Sequence, residues 1–368
     1  MHTKKIDRFF LIITFLLIFI GLAMFISASL GILAKNGGTF YSVLFSQLVL
    51  GFGFGFFGMY LALKIDYKFW RKYSFYIFLG SILLTAAVFI PSLGWSHLGA
   101  ERWIQLGPLK FQPVEILKFG FVIYFATWLS WAKNRVQDFK FGILPLVVLL
   151  AIIAFILFNQ PDTKSFILIA VTGISMLFIS GVSIKWITLL GIASVVVLGS
   201  LVFVTPYLQE RIKTFLDPSQ DPQGSSYQIQ QSLIAIGSGG IFGRGYGQSI
   251  QKFSYLPEPQ GDSIFAVVGE ELGFVGSVVI IILYLLFLLR GLRIANNSPD
   301  LFSRLLVSGI VILIIMQSFM NIASATGVFP LTGVPLVFMS HGGTSLMIYL
   351  MAIGIVFQIS KYNTGARR

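Results

Sequence analysis

The feature that most constrains this chain is a succession of apolar runs, each about as long as a membrane is thick. A helix needs about 20 mainly apolar residues to cross the hydrocarbon core of a bilayer. Ten runs can be read: residues 9–33, 41–64, 73–92, 113–133, 141–158, 164–181, 186–206, 264–292, 301–324 and 336–360. Only 11% of the 368 residues are charged, against about a quarter in a soluble domain. So few charges cannot coat a water-facing surface. The expected fold is all-α: a polytopic integral membrane protein with about ten transmembrane helices, in a single domain over residues 1–368. The runs at 141–158 and 164–181 are short and separated by Asn159-Gln160-Pro161-Asp162-Thr163, so a hairpin that does not fully cross is the alternative there. Ser27-Ala28-Ser29 resembles a leader cleavage site. The run holding it is too long for a cleaved leader, and more spans follow, so it reads as an uncleaved first helix.

Lys and Arg set orientation, because they gather in cytoplasmic loops. With a cytoplasmic N-terminus, 17 of the 26 fall on cytoplasmic flanks, 8 fall outside, and Lys118 lies within a span. Both termini are therefore expected inside. The net charge of +12 is then topology-setting loop charge, and no nucleic-acid partner is expected. Acids show the reverse trend: Glu101, Asp162, Glu210, Asp217, Asp221, Glu258 and Asp262 fall outside. The chain has no cysteine, which excludes disulfides, iron–sulfur clusters and thiolate zinc sites. His2, His97 and His341 form no metal-ligand motif.

The longest connection, residues 207–263, is expected to be an ordered extracytoplasmic loop, since long loops in compact proteins are usually functional or disordered. Its apolar Leu233-Ile234-Ala235-Ile236 predicts a helix over about 226–236, followed by a glycine-rich turn. The stretch Gly239 to Gly245 offers backbone N–H groups beside Arg244, an arrangement that suits phosphate. A flexible turn is the alternative, and glycine spacing alone favours it. Asp262 stands just before an apolar helix, where an Asp commonly caps the free N–H groups. The competing reading makes it a general base, with Glu258, Arg244 and Lys252 nearby in sequence. Glu270 and Glu271 lie two turns further into the same span, and intramembrane acids usually face a cavity or a partner.

Glu115 and Lys118 are i, i+3 on one helical face and close enough to pair. A buried pair that locks helix packing is one reading, and it is compatible with lining a polar cavity. The preceding segment, with Arg102 and Trp103, reads as interfacial, Trp103 anchoring at head-group level and Arg102 available to an anion. Asp162 reads as a turn residue. Asn321, Gly327, Pro330, Gly333, Pro335 and Ser340-His341-Gly342-Gly343 read as a kinked, tightly packed helix entry.

Together these segments resemble the SEDS family of bacterial envelope proteins, whose branches include FtsW, RodA and SpoVE. The most specific stretch runs from Tyr227 to Gly273, supported by GAERWI at 99–104, FQPVEILK at 111–118, QPD at 160–162 and the pattern from Asn321 to Gly343. The wording of the long loop resembles FtsW more than RodA. The resemblance implies a peptidoglycan glycosyltransferase of the bacterial cytoplasmic membrane that polymerises lipid II on the outer face during cell division or elongation, releasing undecaprenyl pyrophosphate with inversion. It implies Asp262 as the catalytic acid–base group. It implies substrate-binding roles for Trp103, Glu115 and Lys118, beside the candidate contacts Arg102, Arg244, Lys252 and Glu258. No cofactor is implied with certainty; a divalent cation, magnesium or manganese, is left open as a helper for pyrophosphate. Implied partners are a class B penicillin-binding transpeptidase and membrane proteins of the divisome or elongasome. The alternatives are a lipid II flippase and a non-catalytic scaffold that recruits the transpeptidase. The sequence departs from the family wording at Gly261 and Ser263, which flank Asp262, at Thr163-Lys164-Ser165 after Asp162, and at His341.

Overall fold

The computed structural model describes residues 5–35, 37–91, 93–97, 100–106, 109–217 and 226–362. His2, Gly99 and Asp221 lie outside them. The helices are α1 (Arg8–Lys35), α2 (Gly37–Phe45), α3 (Phe54–Lys64), α4 (Tyr67–Ala86), α5 (Val114–Ala132), α6 (Ile143–Asn159), α7 (Thr163–Ser180), α8 (Ile184–Val204), α9 (Pro206–Leu216), α10 (Tyr227–Ser238), α11 (Gln251–Ser254), α12 (Ile264–Asn296), α13 (Leu301–Ala325) and α14 (Gly343–Ser360). A π-helical turn, Ser46–Gly53, joins α2 to α3 in one long element. Among the described residues nine helices are long and apolar enough to cross a membrane, and the shorter α6 is a tenth apolar helix. At 17 residues, α6 is about 25 Å long, slightly less than the hydrocarbon thickness.

Helices α5, α13 and α14 form the buried centre, whereas α8 packs loosely at the edge with Leu189, Ile192, Val195 and Val196 exposed. An apolar edge of this kind matches lipid tails, which are as apolar as leucine. The two chain ends meet on one face. Asp7 donates its backbone N–H to Ser360 Oγ, and its carboxylate takes a bidentate pair from Arg290 near the end of α12. The other end of α12, which carries Asp262, therefore lies on the opposite face.

The structure adds a sheet to the expected elements and corrects one span boundary. The interfacial segment after α4 is a three-stranded antiparallel sheet, β1 (Gly94–His97), β2 (Ala100–Leu106) and β3 (Leu109–Phe111), with Trp95 opposite Trp103. The β-branched and aromatic residues of 102–104 favour such a surface. The tenth span begins at Gly343, not 336, because Phe338 takes a left-handed φ of 72° and the Leu336 N–H bonds Ser340 Oγ instead of joining a helical ladder.

Close backbone approach holds α3 against α14. A Cβ on Gly354 would lie 2.4 Å from Met59 O, and one on Gly55 would lie 2.6 Å from Leu350 Cδ1. Small residues permit such contacts in membranes, where no hydrophobic force drives helices together. Gly354→Leu is expected to lower the unfolding midpoint in detergent by an overpacking cost of about 1–3 kcal/mol. An unchanged midpoint would show that the helices can separate freely there.

Candidate active site

Asp262 occupies the turn that leads into α12. The turn closes through Glu258, whose carbonyl accepts from the N–H of Gly261 at 2.8 Å and of Ser263 at 3.4 Å. Ser263, not Asp262, stands at the helix N-cap, and it makes no side-chain cap bond. The Asp262 carboxylate is thus free of the capping task that its position suggested. Its Oδ1 accepts instead from Gln228 Nε2 on α10 at 3.0 Å, and Gln228 also donates to Ser263 Oγ at 3.1 Å.

Three consecutive carbonyls around Asp262 are held from the α13–α14 connection. The His341 N–H donates to Gln260 O at 2.6 Å, Ser340 Oγ to Gly261 O at 2.6 Å, and Asn321 Nδ2 to Asp262 O at 2.7 Å. Asn321 Nδ2 also holds Val334 O at 2.7 Å, and Gln47 in the π-turn brackets the clasp by bonding Ser340 O and the Gly342 N–H. The motif from Asn321 to Gly343, expected to be a packed helix entry, is therefore a clasp on the Asp262 turn.

Cations converge beside it. A methyl group on Gly333 would lie 3.4 Å from Asp262 Oδ2 and 3.5 Å from Lys164 Nζ, so both charged groups face the same stretch of backbone. Lys164 Nζ donates to Gly333 O, and Arg211 Nη1 donates to Leu331 O. Arg102 Nε donates to Gln160 O at 3.0 Å, and its Nη2 donates to Pro161 O. Arg102, Lys164 and Arg211 all line one cavity of about 230 Å³, together with apolar Ile167, Tyr207 and Phe329. Burial pushes the Asp262 carboxyl above the ordinary carboxylate range, partly offset by Lys164, by the Gln228 hydrogen bond and by Arg211. Burial likewise pulls Arg211 down, and the Tyr207 ring, 4.6 Å from its guanidinium carbon, offers it a π face.

Lys164, Arg211 and Gln228 were not singled out from sequence. Lys164 stood there only as a departure from family wording. Arg211 belongs to α9, which lies inside the expected loop; the spacing of Tyr207, Leu208, Arg211 and Ile212, one face of a helix, is the signal that could have found it.

The remaining sequence candidates lie elsewhere. Lys252 is buried and paired with Glu271 at 2.7 Å, with Ser27 Oγ at 2.9 Å and Gly247 O at 2.8 Å completing its bonds. Arg244 pairs with Glu270 at 3.5 Å. The glycine-rich stretch is not an open phosphate cradle, because N–H groups at its end and just beyond it already serve α12. Arg244 and Gly245 donate to the carbonyls of Glu270 and Glu271, and Gly247, Ser249 and Ile250 donate to their carboxylates. Those carbonyls are available because α12 breaks at Gly273, whose φ of 67° and ψ of −165° are non-helical; a Cβ there would lie 2.3 Å from Gly243 N. Glu115 and Lys118 pair at 2.7 Å and are buried, with Gln317 Oε1 at 2.7 Å and Tyr349 OH at 3.0 Å from Lys118 Nζ. The pair lies outside the lining of the cavity that holds Arg102, Lys164 and Arg211. Trp103 pairs with Trp95, while Arg102 is the extra residue of a β-bulge in β2, which re-aims its side chain out of the regular alternation. Glu258 is exposed and accepts from Gln260 Nε2 at 3.1 Å. Asp162 caps α7, accepting from Ser165 N and Oγ.

A divalent cation does not fit this donor set. Among the described residues no three His, Asp or Glu side chains converge, and Asp262 is faced by the cations Lys164 and Arg211.

A family model described as "Cell cycle protein", FtsW/RodA/SpoVE, matches residues 7–365. The chain belongs to this family. It is 38% identical over 367 residues to stage V sporulation protein E of Bacillus subtilis (strain 168), covering 99% of this chain and 100% of that protein. It is also 38% identical over 372 residues to the probable peptidoglycan glycosyltransferase FtsW of Geobacter sulfurreducens (strain DL-1 / KN400), covering 100% and 99%. Among solved structures, a chain described under "Structural coordination of polymerization and crosslinking by a peptidoglycan synthase complex" superposes with a TM-score of 0.80 at 26% identity, over 96% of this chain and 97% of that one. Rod shape determining protein RodA of Thermus thermophilus gives 0.67 at 24% identity, over 95% and 96%, and supports the fold. The FtsW-like family assignment and the all-α membrane architecture expected from sequence both stand.

Lys252→Met is expected to leave Glu271 charged and unpaired, costing about 3–5 kcal/mol of stability, with partial recovery in Lys252→Met/Glu271→Gln. Unfolding in detergent micelles measures both. A Lys252→Met protein as stable as the wild type would contradict the structural role.

Proposed function

We propose that the chain is a peptidoglycan glycosyltransferase that polymerises lipid II, with Asp262 as general base and with Arg102, Lys164 and Arg211 receiving the pyrophosphate. The observation that carries this reading is one carboxylate, freed from helix capping, aimed beside a cavity lined by three cations. The acceptor sugar's 4-hydroxyl attacks the donor's anomeric carbon, its proton passes to Asp262, and the bond from that carbon to pyrophosphate oxygen breaks. An α-linked donor becomes a β-1,4 product, so the transfer inverts and needs a base on the nucleophile's side, with no sugar–enzyme bond. A positioned base of this kind contributes roughly 10²–10⁴-fold. The departing pyrophosphate gains charge there, and the forked arginines suit its oxygens.

The Lys and Arg bias supports an arrangement with both termini in the cytoplasm of a bacterium and the Asp262 turn outside. In this reading residues 1–368 act as one membrane domain, with 207–263 as its extracytoplasmic loop. Likeness to a chain from a polymerization and crosslinking complex supports a transpeptidase partner, of the class B penicillin-binding type. The intramembrane pair Glu115 and Lys118, which a flippase reading would place on a transport path, is closed on itself and on Gln317 and Tyr349.

Purified Asp262→Asn, which keeps the side chain's size, is expected to make glycan strands from lipid II at least about 10²-fold more slowly. Strand synthesis at the wild-type rate would refute the assignment. The pH profile gives a second test. The raised Asp262 pKa places the acid limb of kcat/KM above the ordinary carboxylate value of about 4. Lys164→Gln removes a cation that favours the ionised form, so the limb should move to higher pH. A limb that stays in place or moves lower would contradict the coupling of Lys164 to Asp262.

A further inference from the structure

At the end of α4 and α5 remote from Asp262 lies a second cavity, of about 460 Å³, lined by Lys68, Arg71, Lys72, Tyr124, Thr127, Trp128 and Trp131. It arises from two complementary helical faces. Lys68, Arg71 and Lys72 are i, i+3 and i+4 on α4, and the four α5 residues are i, i+3, i+4 and i+7, so each set shares one face. The helices run antiparallel, which puts Lys68 level with Trp131 at the rim. Deeper along α4, Phe78 stacks on Tyr124 at 5.1 Å and Phe75 lies 6.2 Å from it. The cleft is therefore cationic at its mouth and aromatic at its floor. Arg102 follows the other end of the 20-residue α4, about 30 Å away.

Of the three cations, Arg71 lies over the Phe302 ring at 5.9 Å and Lys72 over the Tyr73 ring at 5.4 Å, contacts that leave their charge in place. Among the described residues none of the three has a carboxylate within the 4.0 Å of an ion pair. The nearest acid in sequence, Asp66, is turned to the start of α4, accepting the Lys68 N–H at 2.8 Å and the Tyr362 hydroxyl at 3.4 Å. Trp128 Nε1 is already bonded to Phe141 O at 3.0 Å, so that ring offers the cleft only its apolar body. Tryptophans beside lysines and arginines mark the level of lipid head groups. Topology needs basic residues at a membrane face, but it needs neither a cavity nor an aromatic floor.

We propose that this cleft binds the head group of an anionic phospholipid, its phosphodiester at Lys68, Arg71 and Lys72 and its upper acyl segment against Phe75 and Tyr124. Basic pockets between spanning helices are a recognised form of lipid site, with about 1 kcal/mol from each cation near the surface. The proposal is independent of the reaction at Asp262.

Native mass spectrometry of the full chain from detergent, titrated with phosphatidylglycerol or with phosphatidylcholine of the same acyl chains, tests it. Wild type should favour phosphatidylglycerol about tenfold or more. Lys68→Gln/Arg71→Gln/Lys72→Gln should reduce the preference below about twofold. Lys133→Gln/Lys140→Gln/Lys185→Gln, which removes equal charge from the same end outside the cleft, should keep it. All the altered side chains are exposed, and an unchanged unfolding midpoint confirms folding. Wild type without preference, or equal loss in both triple variants, would overturn the site. Displacement of the lipid by inorganic phosphate at equal concentration would overturn the lipid in favour of free phosphate.

Discussion

The interaction on which the site depends is the clasp on three consecutive carbonyls, those of Gln260, Gly261 and Asp262. A turn entering a membrane helix has carbonyls that must be satisfied, because an unpaired polar group in a dry environment is costly. Here the donors are Asn321, Ser340 and His341, from α13 and the segment before α14. The segment before α14 is not helical: Phe338 has a φ of 72°, and the Leu336 N–H bonds Ser340 Oγ. The irregular backbone is tolerated because it is buried in protein and borders a cavity. With its backbone fixed, Asp262 can direct its carboxylate to Gln228 and toward Lys164.

A second anchor lies two turns along α12. The break at Gly273 exposes the carbonyls of Glu270 and Glu271, and the glycine-rich turn docks on them. The carboxylates of the same residues gather Lys252, Arg244, the Ser27 and Ser249 hydroxyls and four backbone N–H groups. The long loop is thus pinned at both ends of a short stretch of α12. The loop's charge is mostly structural; the charge that faces Asp262 comes from α7 and α9 and, across the cavity, from β2.

The ten apolar helices were legible because membrane spanning imposes a length and a composition, and both can be read without any tertiary contact. The helix over about 226–236 was legible for a similar reason, its apolar residues being local. The pairing of Glu115 with Lys118 followed from helical spacing, but its closure on Gln317 and Tyr349, some 200 residues away, did not. Sequence proximity misled most in the loop. Arg244 and Lys252 are near Asp262 in sequence, but a helix rises only about 1.5 Å per residue, and they pair two turns away with Glu270 and Glu271. Lys164 and Arg211 are far in sequence and adjacent in space. The sheet at 94–111 was missed because an interfacial reading of Trp103 says nothing of its pairing with Trp95.

The central claim is that the clasp aims Asp262 for catalysis. Steady-state kinetics of glycan synthesis by Asn321→Ala tests it most directly, with the unfolding midpoint measured alongside. A small misplacement of a catalytic group costs about 10²-fold, so kcat should fall by about that factor while KM changes little and the protein stays folded. An unchanged kcat, or a loss confined to KM, would contradict the account.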